Sequence, residues 1–274
     1  MVNRVACFLT CGYTEAGEMQ SFLRKMNSSL EFKQYLPNKT IKKRGEQRMV
    51  SSLVNGLTGQ ALLEKVYEIL RKYSAEISQC VAILIEDDLD GRFLRGNDGQ
   101  IDAYREEICQ RVCALTREDM PVFLLYASPE IESWFIADWI NGFGYAYCHR
   151  EYEFDIPKPV RQYFVHHLRE YVMNYVLQQY KNDIENYGLF DETYVKLSDE
   201  LIKAIEKDVK SYIVQQAYVN SQYAEQIASS RELYYSKKYH GGIMLREILP
   251  CKISEKIYMR HFRRAYDEIH NFQP

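Results

Sequence analysis

Apolar runs and helical repeats alternate along the first half of the chain. Short apolar runs rich in strand-forming residues occupy residues 4–10, 30–36, 80–86 and 121–127. Segments with apolar residues at helical spacing follow them at 18–26, 59–74, 98–115 and 129–140. The runs at 80–86 and 121–127 are almost unbroken, as is typical of strands buried on both faces. This alternation predicts an α/β fold, a mostly parallel sheet flanked by helices.

The second half of the chain has a different pattern. Helical spacing dominates from residue 159 to about 232, a glycine pair interrupts it near 240–242, and a last helix is expected near 254–270. We therefore expect an α/β domain over 1–145 and a mainly helical lobe over 146–274. That lobe is expected either to stand apart or to pack on the same domain.

The composition indicates the cellular location and the partners of the protein more than any reaction it catalyses. The chain has 274 residues, 46% of them hydrophobic, and a formal net charge of −3, so a nucleic-acid partner would need local basic patches. Its seven cysteines are scattered, which favours reduced thiols in a cytoplasmic protein. The sequence has neither an apolar signal region nor an apolar run of membrane-spanning length, so we expect no membrane partner.

Acidic residues collect where the expected strands end. In open parallel sheets, ligands bind outside the carboxyl ends of the strands. Crowded carboxylates repel one another, and a hard divalent cation relieves that repulsion. The sequence therefore predicts a site for Mg²⁺ or Mn²⁺, although solvated loops, or acids placed at helix N-termini as for Glu130, are open alternatives. The acids after the first, third and fourth strands of the α/β pattern are Glu15, Glu18, Glu86, Asp87, Asp88, Asp90, Glu130 and Glu132.

Three short motifs lie at the ends of expected strands or at the start of the helix that follows. "CGYTE" follows the first strand, "DLD" at 88–90 follows a later strand, and "IESWFIAD" at 131–138 opens a helix. They are similar to Glu-Gly-x-Thr-Glu, Asp-x-Asp and Glu-x-Trp-Leu-x-Ala-Asp in the nuclease domains of OLD-type proteins. The chain looks closer still to a bacterial Toprim-like family encoded beside AAA/ABC-type ATPases in phage-defence loci. The closing segment "KKYHGGIMLREI" adds to this resemblance.

The resemblance implies a metal-dependent nuclease that cleaves DNA or RNA, including tRNA, in an antiviral defence system with an ATPase partner. Metal-bound water would attack the phosphorus atom. The expected metal ligands are Glu86, Asp88, Asp90 and Glu132. The expected catalytic residues are Glu15, Asp88, Asp90, Glu132 and Lys238, since a late lysine assists the metal site in related nucleases.

Cys11 departs from the family pattern because it stands where the first glutamate belongs. A thiolate is a soft ligand and does not suit Mg²⁺. Either Glu15 replaces that glutamate, or the site is weakened, holds one metal, or is inactive. The alternative function is therefore a catalytically degenerate Toprim-like scaffold that binds an ATPase partner or nucleic acid.

Basic residues near the acidic loops could attract a polyanion. Arginine can brace phosphate through two hydrogen bonds, and lysine acts as a point charge. An ordinary solvated basic loop is the alternative. Separately, the sequence leaves the oligomeric state open between a monomer and a homodimer. The expected nucleic-acid contacts are Lys42, Lys43, Arg44, Arg48 and Arg92.

Overall fold

A computed structural model gives the architecture of the chain. It describes residues 3–10, 12, 15–37, 56–90, 92–93, 98–149, 156–176, 184–186, 196–215, 221–230 and 233–274. Cys11 and the basic segment with Lys42, Lys43, Arg44 and Arg48 lie outside these ranges. Within them, no helix is both long and apolar enough to cross a membrane.

Four parallel strands form the central sheet in the order β2-β1-β3-β4. The strands are β1 (Arg4–Phe8), β2 (Glu31–Leu36), β3 (Ala82–Asp88) and β4 (Val122–Ala127). This confirms the predicted α/β class with a parallel sheet. The third strand runs two residues further than expected, so Asp87 and Asp88 belong to the strand, with Glu86, rather than to the loop after it.

Helices connect and cover the strands. In the first half they are α1 (Glu15–Met26), α2 (Gly59–Lys72), α3 (Ser74–Ile77), α4 (Asp98–Leu115) and α5 (Glu132–Ala137). The expected helix over 129–140 is shorter than the pattern suggested, since regular α-helix runs only from Glu132 to Ala137. A π-helical segment, Ile140–Gly144, then leads into α6 (Tyr145–Cys148).

The second half is helical in its described parts, as predicted. Its α-helices are α7 (Lys158–Tyr171), α8 (Leu197–Lys203), α9 (Val209–Gln215), α10 (Ser221–Ser229), α11 (Gly242–Glu247), α12 (Pro250–Ser254) and α13 (Arg260–His270). π-Helical segments cover Val172–Val176, Ala204–Asp208 and Lys237–Gly241, and a 3₁₀ turn covers Ile184–Asn186. The last helix, expected near 254–270, is α13 and starts later than predicted, at Arg260.

The two faces of the sheet are covered by different helices. On one face, Ile83 and Ile85 of β3 join a core with residues of α2 and α4. On the other, Ala82 and Leu84 join a larger core that contains residues of α1, α5 and the helices of the second half. Successive side chains of a strand point to opposite faces. This alternation decides the environment of each acid that follows Ile85.

Candidate functional site

The register between β3 and β4 brings two acidic segments side by side. Asp88 pairs with Ala127 at the end of the two strands. The contact continues beyond them, since the Leu89 N–H donates to the Ala127 carbonyl at 2.8 Å and the Asp90 N–H to the Pro129 carbonyl at 2.8 Å. Asp90 has a φ of 47°, a left-handed conformation that aspartate tolerates better than most residues. The "DLD" turn is therefore held directly beside the segment that carries Glu130 and Glu132.

Glu130 is a buried carboxylate with several partners. The Ser198 N–H donates to its Oε2 at 2.9 Å, and the Ser198 hydroxyl donates at 3.1 Å. The Lys237 ammonium donates to its Oε1 at 3.0 Å. Burial acts to raise the pKa of Glu130, but Lys237 and the Ser198 N–H outweigh it, so the pKa lies below its ordinary value.

Glu132, like Glu130, is fully buried. The Tyr235 hydroxyl donates to Oε1 at 2.7 Å, and the Lys237 ammonium lies 3.2 Å from Oε2. Burial raises the pKa of Glu132 above its ordinary value, and Lys237 offsets only part of that rise. Two neighbouring carboxyls, Glu130 and Glu132, thus have pKa values shifted in opposite directions around one ammonium group.

Two lysines approach the acids in different ways. Lys237 lies between Glu130 and Glu132; burial acts to lower its pKa, but Glu132, Glu130 and Asp88 outweigh it, so the pKa lies above its ordinary value. Lys196 is 54% exposed, and its Nζ lies 3.8 Å from Asp90 Oδ1 and 3.9 Å from Glu130 Oε1. We call these six residues the acid–lysine cluster: Asp88, Asp90, Glu130, Glu132, Lys196 and Lys237.

Asp90 lies at the exposed side of the acid–lysine cluster. Its side chain is 22% exposed, and its Oδ2 accepts a long hydrogen bond of 3.4 Å from the Thr58 hydroxyl. Burial raises the pKa of Asp90 above its ordinary value; Lys196 opposes that rise and Glu130 adds to it. Among the described residues, four carboxylates of the cluster face two ammonium groups, so these six groups carry an excess of negative charge when all are ionised.

Asp87 points to the opposite face of the sheet. Its oxygens accept the Gly59 N–H at 3.0 and 3.2 Å, and Arg92 Nη2 lies 2.8 Å from Oδ2. Gly59 begins α2 with a φ of +58°, and a Cβ there would lie 3.0 Å from the Arg92 guanidinium. Burial raises the pKa of Asp87 to about 6, despite the opposing effect of Arg92. Asp87 thus caps a helix and pairs with an arginine.

Two other acids predicted for the site, Glu86 and Glu15, are not among the members of the acid–lysine cluster. Glu86 is fully buried on the same face as Asp88, and the Thr10 N–H and hydroxyl donate to its Oε2 at 2.9 and 3.0 Å. Glu86 therefore bonds the end of β1 to β3. Glu15 begins α1, and its side chain lies outside the described residues. Its predicted catalytic role stays a prediction.

The two predicted basic residues that the structure describes, Arg92 and Lys238, are placed differently from the expectation. Arg92 makes internal contacts: it donates to the Leu89 carbonyl at 3.1 Å and to the Tyr104 hydroxyl at 3.1 Å, besides its pair with Asp87. Lys238 is exposed, and its ammonium lies over the Tyr239 ring, 5.4 Å from the centroid. The lysine that contacts Glu130 and Glu132 is its neighbour, Lys237.

Sequence reasoning missed Lys196, Lys237 and Tyr235. Lys237 and Tyr235 are more than 100 residues along the chain from the acids they contact, and no local spacing indicates that contact. The available signal was "YYSKKYHGG", a run of polar and aromatic residues that ends in a glycine pair. It indicated the segment but not which lysine turns inward.

The donor atoms of the cluster suit a hard cation, but only in part. Carboxylate oxygens are the ligands that Mg²⁺ prefers, and the Lys237 ammonium shows that the interior of the cluster accepts a positive charge. Asp88 and Asp90 are the acids nearest to solvent, whereas the oxygens of Glu132 are engaged by Tyr235 and Lys237. Among the described residues, no group of three or more His, Cys, Asp or Glu side chains is arranged to hold a metal ion.

Comparisons with known proteins give no relative. No protein-family model matches the chain, and neither a curated protein nor a solved structure does. The resemblance to Toprim-like families therefore stays a prediction from the sequence motifs.

Proposed function

We propose that this protein is a divalent-metal-dependent nuclease that hydrolyses phosphodiester bonds of DNA or RNA. The observation that carries the proposal is the acid–lysine cluster at the carboxyl ends of β3 and β4. Acids from two neighbouring strand ends share the same ammonium groups there, and within the described part of the chain the acids outnumber those groups. An excess of buried carboxylate has a cost that a divalent cation relieves.

Asp88 and Asp90 are the residues that would hold Mg²⁺ or Mn²⁺. Such an ion supplies an activated water and neutralises charge on the phosphoryl oxygens. The protein's own groups prepare the site around it. Lys237 holds Glu130 and Glu132 in fixed positions, Tyr235 orients Glu132, and Ser198 orients Glu130. The rigid register of β3 and β4 fixes where Asp88 and Asp90 stand.

The biological setting of the proposal comes from the sequence motifs alone. The Toprim-like resemblance supports an antiviral defence role with an AAA/ABC-type ATPase partner in the cytoplasm. The helical second half, which contains α7 to α13, offers the surface on which such a partner could dock.

The proposal is tested by cleavage of plasmid DNA and of tRNA with Mg²⁺ or Mn²⁺. We expect the Asp88→Asn/Asp90→Asn variant to lose at least about a hundredfold in rate, because the metal contributes several kcal/mol to transition-state stabilisation. Asp102→Asn is the matched control, since Asp102 pairs with Arg264 on the surface. Equal rates in the wild type, the double variant and the control would exclude the metal role of Asp88 and Asp90.

A second candidate function is a degenerate Toprim-like scaffold that binds an ATPase or nucleic acid without catalysis. The observation in its favour is that Lys237 already neutralises Glu130 and Glu132 from within the protein. Titration with Mn²⁺ separates the candidates. A folded protein that binds no Mn²⁺ at millimolar concentration and cleaves nothing would support the scaffold.

A further inference from the structure

Lys196 is held more loosely than Lys237, the other lysine of the acid–lysine cluster. Its Nζ is within 4 Å of Asp90 Oδ1 and Glu130 Oε1, but at 3.8 and 3.9 Å it is too far from either oxygen for a hydrogen bond. More than half of its side chain is exposed. Electrostatic attraction to these two carboxylates keeps the Lys196 ammonium near the cluster, but no hydrogen bond to either of them fixes its orientation.

The backbone beside Lys196 is, in contrast, firmly held. Ser198, two residues on, gives both its N–H and its hydroxyl to the buried carboxylate of Glu130. The Lys196 carbonyl accepts the N–H groups of Asp199 and Glu200 at the start of α8. The chain is thus fixed to the site on one side of Lys196, while the charged end of the side chain can turn toward solvent.

A cation in this position would help the proposed reaction by attracting the negatively charged substrate. The cluster carries excess negative charge, which repels a phosphodiester, and Lys237 is engaged with Glu130 and Glu132. Lysine is a point charge on a flexible stem, so it can leave a loose ion pair for a phosphate oxygen. Lys196 is beside Asp90, the acid on the exposed side of the cluster.

We propose that Lys196 binds a non-bridging phosphate oxygen of the polynucleotide and holds the strand at the mouth of the acid–lysine cluster. The inference rests on the proposed nuclease function and adds the residue that receives the substrate. Lys196 then exchanges its contacts with Asp90 and Glu130 for the phosphate, while Lys237 stays in the interior.

The experiment measures binding of fluorescent oligonucleotides, single-stranded and duplex, to the full chain with Ca²⁺ in place of Mg²⁺, with gels to check that the probe stays intact. The variants are Lys196→Ala and Lys196→Arg. Lys203→Ala is the matched control, because Lys203 ends the helix that begins next to Lys196, is 62% exposed, and has a similarly loose pair with Glu200 at 4.0 Å. Dissociation constants are measured over a series of salt concentrations.

We expect Lys196→Ala to weaken binding about tenfold at low salt, the loss of one hydrogen bond to a charged group. The slope of log K against log salt should fall in magnitude by about 0.9 for duplex and about 0.7 for single strands, since one phosphate contact is removed. Lys196→Arg should retain most of the slope, and Lys203→Ala all of it. In cleavage assays Lys196→Ala should raise KM more than it lowers kcat.

Identical slopes for Lys196→Ala and Lys203→Ala, with a wild type that binds and cleaves, would overturn this inference and leave the nuclease function standing. A wild type that neither binds nor cleaves any oligonucleotide would overturn both. A melting temperature of Lys196→Ala within about 3 °C of wild type separates lost binding from lost folding, because an exposed pair contributes little to stability.

Discussion

The two faces of β3 hold their carboxylates in different ways. Asp87, on the α2 face, accepts the N–H at the start of α2 and pairs with Arg92. On the opposite face, Asp88 joins three other acids that share two lysines. One strand thus carries a balanced charge pair on one side and an unbalanced set on the other. The lesson is that the balance of charges, rather than the number of acids, separates an acid with a structural role from acids suited to a cation.

The largest expected effect concerns the lysine inside the acid–lysine cluster. Lys237→Met should lower the free energy of unfolding by about 3 to 5 kcal/mol, because it leaves Glu130 and Glu132 buried without their cation. Urea unfolding measures the change, and millimolar Mn²⁺ should restore part of it. Lys238→Met is the control, since the exposed Lys238 should matter by less than about 0.5 kcal/mol. If both variants unfold like the wild type, the cluster is balanced without Lys237 and the contrast between the faces fails.

A smaller effect on stability is expected from Asp87, on the α2 face of β3, as pH changes. The folded-state pKa of Asp87, about 6, is above its ordinary value, so the folded state binds more protons between about pH 4 and 6. The contribution of Asp87 to stability should therefore fall as pH rises through that window and level off above it. The difference in unfolding free energy between wild type and Asp87→Asn should change by roughly 2 to 3 kcal/mol.

The measurement is a series of urea unfolding curves from about pH 4 to about pH 7, the window set by the folded and unfolded pKa values. Asp102→Asn, which changes a surface carboxyl paired with Arg264, is the matched control. A wild type and Asp87→Asn that run parallel over the whole range would mean that burial does not perturb Asp87.

The smallest effect is expected from the hydroxyl that orients Glu132. Tyr235→Phe removes the 2.7 Å hydrogen bond to Glu132 Oε1 and should cost about 1 to 2 kcal/mol, because it leaves a buried acceptor with one partner fewer. Tyr234→Phe is the matched control, since Tyr234 is exposed and uses its backbone carbonyl, not its hydroxyl, to accept from Tyr147. Thermal unfolding of the two variants side by side measures the difference. Equal melting temperatures would mean that the Tyr235 hydroxyl does not stabilise the cluster.

The fold was predictable because its signal is local. Four apolar runs and the helical repeats between them were enough for the parallel sheet, since each element buries a face that its own residues define. Two boundaries were wrong for identifiable reasons. β3 extends past Glu86 through Asp87 and Asp88, because β4 continues to pair with it and the Gly59 N–H satisfies Asp87 inside the protein. The helix after β4 starts late because the chain bends at Ser128 and Pro129 before it becomes helical.

The candidate site was predictable only in its acidic half. Strand ends of a parallel sheet share one edge, so Asp88, Asp90 and Glu132 could be grouped from the sequence alone. The lysines could not, because Lys196 and Lys237 arrive from the helical second half through tertiary packing. The choice between Lys237 and Lys238 depends on which way one π-helical turn faces, and neighbouring lysines look alike in a sequence.

The distance along the chain between the acids and Lys237 also has a consequence for biosynthesis. A ribosome completes β3, β4 and the acidic segment more than 100 residues before Lys237 is made. Until then the interior carboxylates have no ammonium between them, and the core that joins α1 and α5 to the later helices is incomplete. A nascent chain should therefore resist proteases at β3 and β4 only once residues 237–270 have emerged. Synthesis of this segment thus sets the time at which the acid–lysine cluster is completed.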